Sequence, residues 1–123
     1  TAGPTREAID PVRYISNRSS GRMGYAIAQA AEEAGADVTL VSGPVTLDPP
    51  ERVNCIPVNT AEQMRTEVFN YSTNMDIFIA AAAVADYRCQ DIKQQKIKKS
   101  GPFVSLTLEK NPDILAEISQ LSV

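Results

Sequence analysis

The first 24 residues constrain the fold most, because they combine a strand end, a long polar loop and a helix start. Residues 1–3, Thr-Ala-Gly, have the composition of a strand that ends in glycine, and Gly21 and Gly24 open a helical pattern. Nucleotide-binding α/β domains use such a turn to present backbone N–H groups to phosphates. The sequence therefore predicts an α/β domain with Gly3, Gly21 and Gly24 as candidates for a phosphate-binding loop.

Gly21 and Gly24 have two interpretations. Their spacing does not form the G-x-G-x-x-G fingerprint, and the loop before them is far longer than a dinucleotide-binding turn. Backbone N–H groups at the helix start favour a phosphate, whereas glycines also let a helix pack closely on a strand. The residues alone leave phosphate binding and close packing equally open.

Strand-like and helix-like segments alternate after this opening. Strands are predicted at residues 37–42, 53–58, 76–81 and 103–108. Helices are predicted to begin after Ser20, Thr60 and Asn111, which are favourable N-cap residues. With parallel pairing and right-handed crossovers, this order predicts an α/β fold, a Rossmann-like three-layer sandwich with a mainly parallel sheet. The connection between residues 42 and 53 is short for a parallel crossover, which leaves the placement of its two strands open.

Local patterns add detail to these elements. Thr60 and Gln63 have capping-box spacing, and Gly35 suits the end of the first helix. Residues 76–81 lack alternation, which predicts a strand covered on both faces. The apolar stripe of the first helix is expected at residues 23, 27, 30, 31 and 34, and that of the last helix at Ile114, Leu115, Ile118 and Leu121.

The composition excludes several classes of function. The 123 residues include no histidine, which excludes Ser-His-Asp and Cys-His catalysis and histidine-ligated metal sites. A net charge of -3 argues against a nucleic-acid or anionic-membrane partner, and the longest apolar run, residues 77–85, is too short to span a bilayer. Cys55 and Cys89 lack C-x-x-C spacing, which indicates a reducing, cytoplasmic setting. We expect Cys55 in the core and Cys89 at the surface.

A second candidate site lies where the strand at residues 76–81 ends. Ala80, Ala81 and Ala82 place small side chains at the carboxyl end of this strand, where parallel sheets bind ligands. Asp86 follows, and its carboxylate suits a ribose hydroxyl, a base amine or a metal ion. The alternatives are tight packing for the alanines and a turn cap for Asp86.

Cations and one amide complete the candidates. The lysines that follow the strand edge are Lys93, Lys96, Lys98 and Lys99. They suit a triphosphate, although a solvated loop is the common role of such clusters. Asn17, in the opening loop, offers a donor and an acceptor for an acyl-transfer centre without histidine. Turn formation is the alternative for Asn17.

Four motifs in this order carry a resemblance to a known family: GPTREAIDPVRYISNRSSGRMG, AAAVADYR, KIKK and KNPDI. Over almost its whole length the chain resembles the phosphopantothenoylcysteine synthetase domain of coenzyme A biosynthesis, of the CTP-dependent bacterial type. The resemblance implies a single nucleotide-binding ligase domain over residues 1–123, truncated at both ends. It also implies a homodimer, and fusion to a phosphopantothenoylcysteine decarboxylase domain that alone would hold FMN.

The resemblance implies a reaction in two steps. The carboxylate of 4′-phosphopantothenate attacks the α-phosphate of CTP, which gives an acyl-cytidylate and pyrophosphate. The amine of L-cysteine then attacks the acyl carbon and displaces CMP. Mg²⁺ accompanies the triphosphate, and no enzyme nucleophile is required, which agrees with the missing histidine.

The resemblance also assigns residues. Asn17 would handle the acyl-cytidylate, and Lys96 would meet the nucleotide phosphates. The nucleotide-binding residues would be Ala80, Ala81, Ala82, Asp86, Asn111, Pro112, Asp113 and Ile114. The chain departs from the family pattern in a short interval between KIKK and NPDI, residues 100–110. In the family, the first strand begins before Thr1, and lysines and a dimer contact follow Val123.

Two other functions remain open from the sequence. The S-S-G-x-x-G fragment fits a Rossmann-type NAD(P) oxidoreductase, but no acid ends the second strand and no Tyr-x-x-x-Lys pair occurs. A non-catalytic nucleotide-binding fragment is the other alternative.

Overall fold

The computed structural model describes residues 1–121 and has a mixed α/β fold with small sheets. The strands are β1 (Glu7–Ala8), β2 (Tyr14–Ile15), β3 (Thr39–Ser42), β4 (Asn54–Pro57), β5 (Tyr87–Cys89) and β6 (Leu108–Lys110). The helices are α1 (Arg22–Glu33), α2 (Ala61–Tyr71) and α3 (Ile114–Ser119), with a 3₁₀ turn at Ser72–Asn74. β3 pairs with β4 in parallel, whereas the pairs β1–β2 and β5–β6 are antiparallel. The α/β class predicted from the sequence is confirmed.

The chain start lies between β3 and residues 79–83. The N–H of Ala2 donates to the carbonyl of Val41 at 3.0 Å, and the N–H of Ala83 donates to the carbonyl of Gly3 at 2.9 Å. Ala2 and Pro4 form isolated parallel bridges on these two sides. Residues 1–4 therefore connect β3 to the segment that the sequence singles out as a ligand-binding edge.

Two predicted strands differ from the structure. Residues 76–81 form no regular strand, although Ala81 donates to the carbonyl of Thr1 at 3.2 Å. Ile77 is 77% exposed, so this segment is not covered on both faces within residues 1–121. The strand predicted at residues 103–108 begins only at Leu108, where β5 supplies a partner, and residues 103–107 are exposed. Alternating apolar residues do not form a ladder without a neighbour to accept their hydrogen bonds.

The ends of α1 and α2 follow local sequence rules. Thr60 and Gln63 form the predicted capping box at the start of α2. Gly35 has φ 97° and ends α1 in a Schellman arrangement, with Ala36 N–H donating to the Ala31 carbonyl at 3.0 Å. The N-cap of α1 is Gly21, not Ser20 as predicted.

The core lies on both sides of β3. One cluster joins β3, α2 and α3 through Val41, Met64, Val68, Ile114 and Ile118. The other contains Ala2, Tyr25, Ala28 and Leu40.

The buried faces of α1 and α3 differ from the predicted stripes. α1 buries Gly24, Tyr25 and Ala28, while Met23, predicted to be buried, is 73% exposed. The close contact of Gly24 with Ala2 turns this face toward residues 1–4. On α3, Ile114 and Ile118 are buried as predicted, whereas Leu115 and Leu121 are exposed.

The burial of the two cysteines and the lengths of the helices can also be compared with the sequence predictions. Cys89, predicted at the surface, is buried on β5, where it pairs with Leu108 of β6, and Cys55, predicted in the core, is half-buried. Among residues 1–121, no helix is long and apolar enough to cross a membrane.

Candidate functional site

A cavity of about 600 Å³ lies at the edge that the sequence predicts to bind a ligand. Its wall contains most of the predicted nucleotide-binding residues, namely Ala80, Ala82, Asp86, Asn111, Pro112, Asp113 and Ile114. Ala81 does not line the cavity, although its N–H donates to the carbonyl of Thr1, a residue of the cavity wall. The structure thus brings the AAAVADYR and KNPDI motifs into one site from positions about 30 residues apart in the sequence.

Asn111 shapes the rim of this cavity. Its side-chain Nδ2 donates to the carbonyl of Ala85 at 2.7 Å, and its backbone N–H donates to the carbonyl of Asp86 at 2.8 Å. Its Oδ1 accepts from Arg88 at 3.0 Å. Because the Asn111 side chain is engaged in this way, it does not cap α3 as predicted. Asp113 is the N-cap and accepts from the N–H of Ala116 at 3.0 Å.

Asn17 lies in the wall of a second cavity, of about 240 Å³, which is lined by the opening loop and residues 44–46. Its Nδ2 donates to the carbonyl of Ala83 at 2.8 Å, and its Oδ1 accepts from the N–H of Ser19 at 3.0 Å. These two bonds fix the orientation of the amide. Within residues 1–121 they leave one N–H of Nδ2 without a partner, because a primary amide has two.

Sequence reasoning missed Thr5 as a part of the site. Its side chain is fully buried, and Oγ1 accepts from the N–H of Ala85 at 2.9 Å. Its carbonyl accepts from the hydroxyl of Ser16 at 2.7 Å. Thr5 therefore holds the strand edge and the opening loop together, which no local pattern around residue 5 indicates.

Lys96 is exposed and lines neither cavity. The chain nearby is anchored on the opening loop, since the N–H of Lys93 donates to the carbonyl of Ile9 at 3.1 Å. Asp10 accepts from the N–H of Ile97 at 3.1 Å and forms an ion pair with Arg13. Hydrogen bonding from the Arg13 guanidinium holds the pKa of Asp10 well below its usual range.

The three candidate glycines are closely packed. A Cβ at Gly24 would lie 2.4 Å from the Cβ of Ala2. At Gly3 and Gly21 it would lie 2.9 Å and 2.7 Å from Cγ1 of Val45. This geometry supports the packing interpretation of these residues, and their binding of a phosphate stays a prediction.

Carboxylates are sparse around the larger cavity. Asp86 and Asp113 line it, but among residues 1–121 no three His, Cys, Asp or Glu side chains gather as a metal site would require. Such a wall suits a cation that arrives with phosphate oxygens, as Mg²⁺ commonly does.

The fold and this site define an α/β domain with a cavity that is lined by two distant motifs. Residues 1–123 match the family model described as "DNA/pantothenate metabolism flavoprotein C-terminal domain", and the chain belongs to this family. The family resemblance stated from the sequence is confirmed.

The chain is similar to proteins named "Coenzyme A biosynthesis bifunctional protein CoaBC". It is 58% identical to the protein from Vibrio cholerae, and the match covers 99% of this chain and 31% of that relative. Identity to the Escherichia coli K12 protein is 52%, over 98% of this chain and 30% of the relative. The chain therefore spans about a third of the length of these relatives.

Solved structures agree with the fold. The crystal structure of the C-terminal domain of a CoaBC protein has a TM-score of 0.86 at 43% identity, and the match covers 99% of this chain and 57% of that one. A DNA/pantothenate metabolism flavoprotein from Streptococcus pneumoniae has a TM-score of 0.84 at 25% identity, and the match covers 97% of this chain and 62% of that one. A third structure, a Cab2 mutant H337A in complex with phosphopantothenate-cysteine, is 18% identical with a TM-score of 0.81 and supports the fold alone.

Proposed function

We propose that this domain joins 4′-phosphopantothenate to L-cysteine with CTP, through an acyl-cytidylate, in coenzyme A biosynthesis. The observation that carries the proposal is the cavity of about 600 Å³, in which Ala80, Ala82, Asp86 and residues 111–114 meet as the family resemblance implies. The names of the relatives, which place them in coenzyme A biosynthesis, support the same pathway.

In this proposal the larger cavity takes the cytidine of CTP. Backbone groups of Ala80, Ala82 and residues 111–114 contact the nucleotide, and Asp86 accepts from its hydroxyl or amine groups. The triphosphate points toward the loop of Lys96, whose ammonium offsets phosphate charge. Attack of the substrate carboxylate on the α-phosphate breaks the bond to pyrophosphate, so no side-chain nucleophile is needed.

Asn17 acts in the second step. The amine of L-cysteine attacks the acyl carbon and negative charge develops on the acyl oxygen. The bond to CMP then breaks, and the nitrogen releases a proton to solvent as the amide forms. The free N–H of the Asn17 amide can donate to that oxygen, since Ala83 and Ser19 already fix the plane of the amide. A preorganised donor of this kind stabilises the transition state more than the ground state.

Mg²⁺ would enter with the triphosphate and neutralise phosphate charge. Asp86 and Asp113 are the residues of the cavity wall that would hold it.

The larger assembly is part of the proposal. Residues 1–4 lie parallel between β3 and residues 79–83, which supports a Rossmann-like, mainly parallel sheet within a three-layer sandwich. The word "bifunctional" in the relatives' names supports fusion to a decarboxylase half, which alone would hold FMN. We further propose a cytoplasmic homodimer.

Titration calorimetry of the full-length protein with CTP, ATP and NADPH tests the class of ligand. We expect heat from CTP and none from NADPH. Binding of NADPH without CTP would replace the ligase by an oxidoreductase.

A further inference from the structure

The ion pair of Asp10 and Arg13, with a buried carboxylate and a half-exposed guanidinium, holds the residue next to Lys96. The Asp10 side chain is fully buried and accepts from the backbone N–H of Ile97 at 3.1 Å. The guanidinium of its partner, Arg13, donates to the carbonyl of Ile97 at 3.2 Å. Both polar backbone groups of Ile97 are therefore bound by the same ion pair.

Asp10 is itself held rigidly. Oδ1 accepts from the backbone N–H groups of Val12 and Arg13, both at 2.9 Å, and Oδ2 accepts from Nε of Arg13 at 3.0 Å. The carboxylate thus stabilises the turn at residues 10–13 and also binds the N–H of Ile97, which lies 87 residues later in the sequence. A charge-assisted network of this kind leaves the bound peptide little freedom.

We propose that Asp10 is a positioning residue for Lys96 and acts on the reaction through that lysine. The inference rests on the proposed function, in which Lys96 meets the phosphates of CTP. Lysine carries its charge on a flexible stem, and Lys96 is exposed in a segment without regular secondary structure. Fixing the backbone one residue later limits where the ammonium can be placed.

The test uses Asp10→Asn in the full-length protein. The Asn side chain has one acceptor oxygen, so it cannot accept from the turn N–H groups of Val12 and Arg13 and at the same time from the Arg13 guanidinium and Ile97. We expect the kcat of pyrophosphate release to fall by about 10- to 100-fold, as a small misplacement of a catalytic group would cause. The KM for phosphopantothenate should not change. Asp91→Asn is the matched control and should retain the wild-type rate, because among the described residues Asp91 pairs only with the exposed Lys93.

A double-mutant cycle with Lys96→Gln separates positioning from general damage to the fold. If Asp10 acts through Lys96, Asp10→Asn causes no further loss in the Lys96→Gln background. The same fold-loss in both backgrounds would overturn the proposal. A wild-type rate in folded Asp10→Asn, or in Lys96→Gln, would overturn it equally.

A second variant covers the case in which Asp10→Asn does not fold. Asp10→Ser keeps a short acceptor for the turn at residues 10–13, but its side chain cannot reach Ile97. The double-mutant cycle with Lys96→Gln is then measured with Asp10→Ser in place of Asp10→Asn. The wild-type rate of pyrophosphate release distinguishes a failure of the proposed function from a failure of the role proposed for Asp10. Absence of pyrophosphate release from the wild type rejects the proposed function, whereas additive losses with an active wild type reject the role of Asp10 alone.

Discussion

The amide of Asn17 donates a hydrogen bond of 2.8 Å to the backbone carbonyl of Ala83. This contact joins the opening loop to the strand edge across 66 residues of sequence. It also relates the two cavities, because Asn17 lines the smaller one and the residues on both sides of Ala83 line the larger one. The residues proposed to act in both half-reactions thus contact one short backbone segment, residues 82–84.

Asn17→Asp should slow amide formation more than pyrophosphate release. The substitution removes the N–H donor and places a carboxylate beside the Ala83 carbonyl. Loss of a transition-state donor costs about 100- to 1000-fold in rate, and we expect that loss in the cysteine-dependent step. Single-turnover measurements of both half-reactions provide the comparison. Asn70→Asp, on the exposed side of α2, controls for the added charge. An equal loss in both steps would refute the assignment.

Asn111→Asp should weaken CTP binding, although the Asn111 side chain is not proposed to contact the nucleotide. The Asp side chain keeps an acceptor for Arg88 but cannot donate to the Ala85 carbonyl, so the cavity rim loses its support. A lost hydrogen bond of this kind costs about 1–3 kcal/mol, and we expect a rise in the Kd for CTP by calorimetry. Glu109→Gln, which breaks only the exposed pair with Arg88, serves as the control and should leave the Kd unchanged. An unchanged Kd in Asn111→Asp would show that the rim does not depend on this amide.

Gly24→Ala should destabilise the fold, although alanine favours helices. The new methyl group would lie 2.4 Å from the Cβ of Ala2 and force α1 away from residues 1–4. Overpacking of this kind costs about 1–3 kcal/mol, which exceeds the gain in helix propensity of about 1 kcal/mol. Urea unfolding followed by circular dichroism measures the difference. Ala26→Ser adds one atom on the exposed face of the same helix and should change the free energy of unfolding by no more than about 0.5 kcal/mol. A Gly24→Ala variant as stable as the wild type would exclude the packing role.

The contribution of Asp10 to stability should depend on pH. Hydrogen bonding from Arg13 lowers the pKa of Asp10 from its ordinary value of 3.8 in the folded protein. The unfolded chain therefore takes up the proton first, so this contribution is complete above the ordinary pKa and is lost as the pH falls below it. We expect Asp10→Asn to lower the free energy of unfolding more at about pH 6 than at about pH 3. Urea unfolding at both pH values tests this, with Asp91→Asn as the control for loss of an exposed charge. A loss of stability independent of pH would contradict the role of the charge.

Local features of the fold could be predicted from the sequence because their partners are close in the chain. The capping box of Thr60 and Gln63 spans three residues, and Gly35 satisfies carbonyls of its own helix. The position of the cavity at residues 80–86 was also predictable from the sequence, since it lies at the end of a segment that runs parallel to its neighbour, whereas ligand binding there stays a prediction. These signals need no knowledge of tertiary contacts.

The remaining features depend on contacts distant in sequence. Asn111 has every property of an N-cap, but the Ala85 carbonyl 26 residues away engages its amide. α1 is rich in alanine, so hydrophobicity alone does not show which face packs on Ala2. Asp10 resembles an ordinary turn residue, and its bond to Ile97 is visible only in the folded chain.

Pyrophosphate release from the full-length protein tests the proposed function most directly. With CTP and phosphopantothenate but no cysteine, we expect release limited to a single turnover, because the acyl-cytidylate stays bound. Addition of L-cysteine should convert this burst into sustained release with formation of CMP. Absence of pyrophosphate, or release that does not require phosphopantothenate, would contradict the proposal that this domain activates that carboxylate.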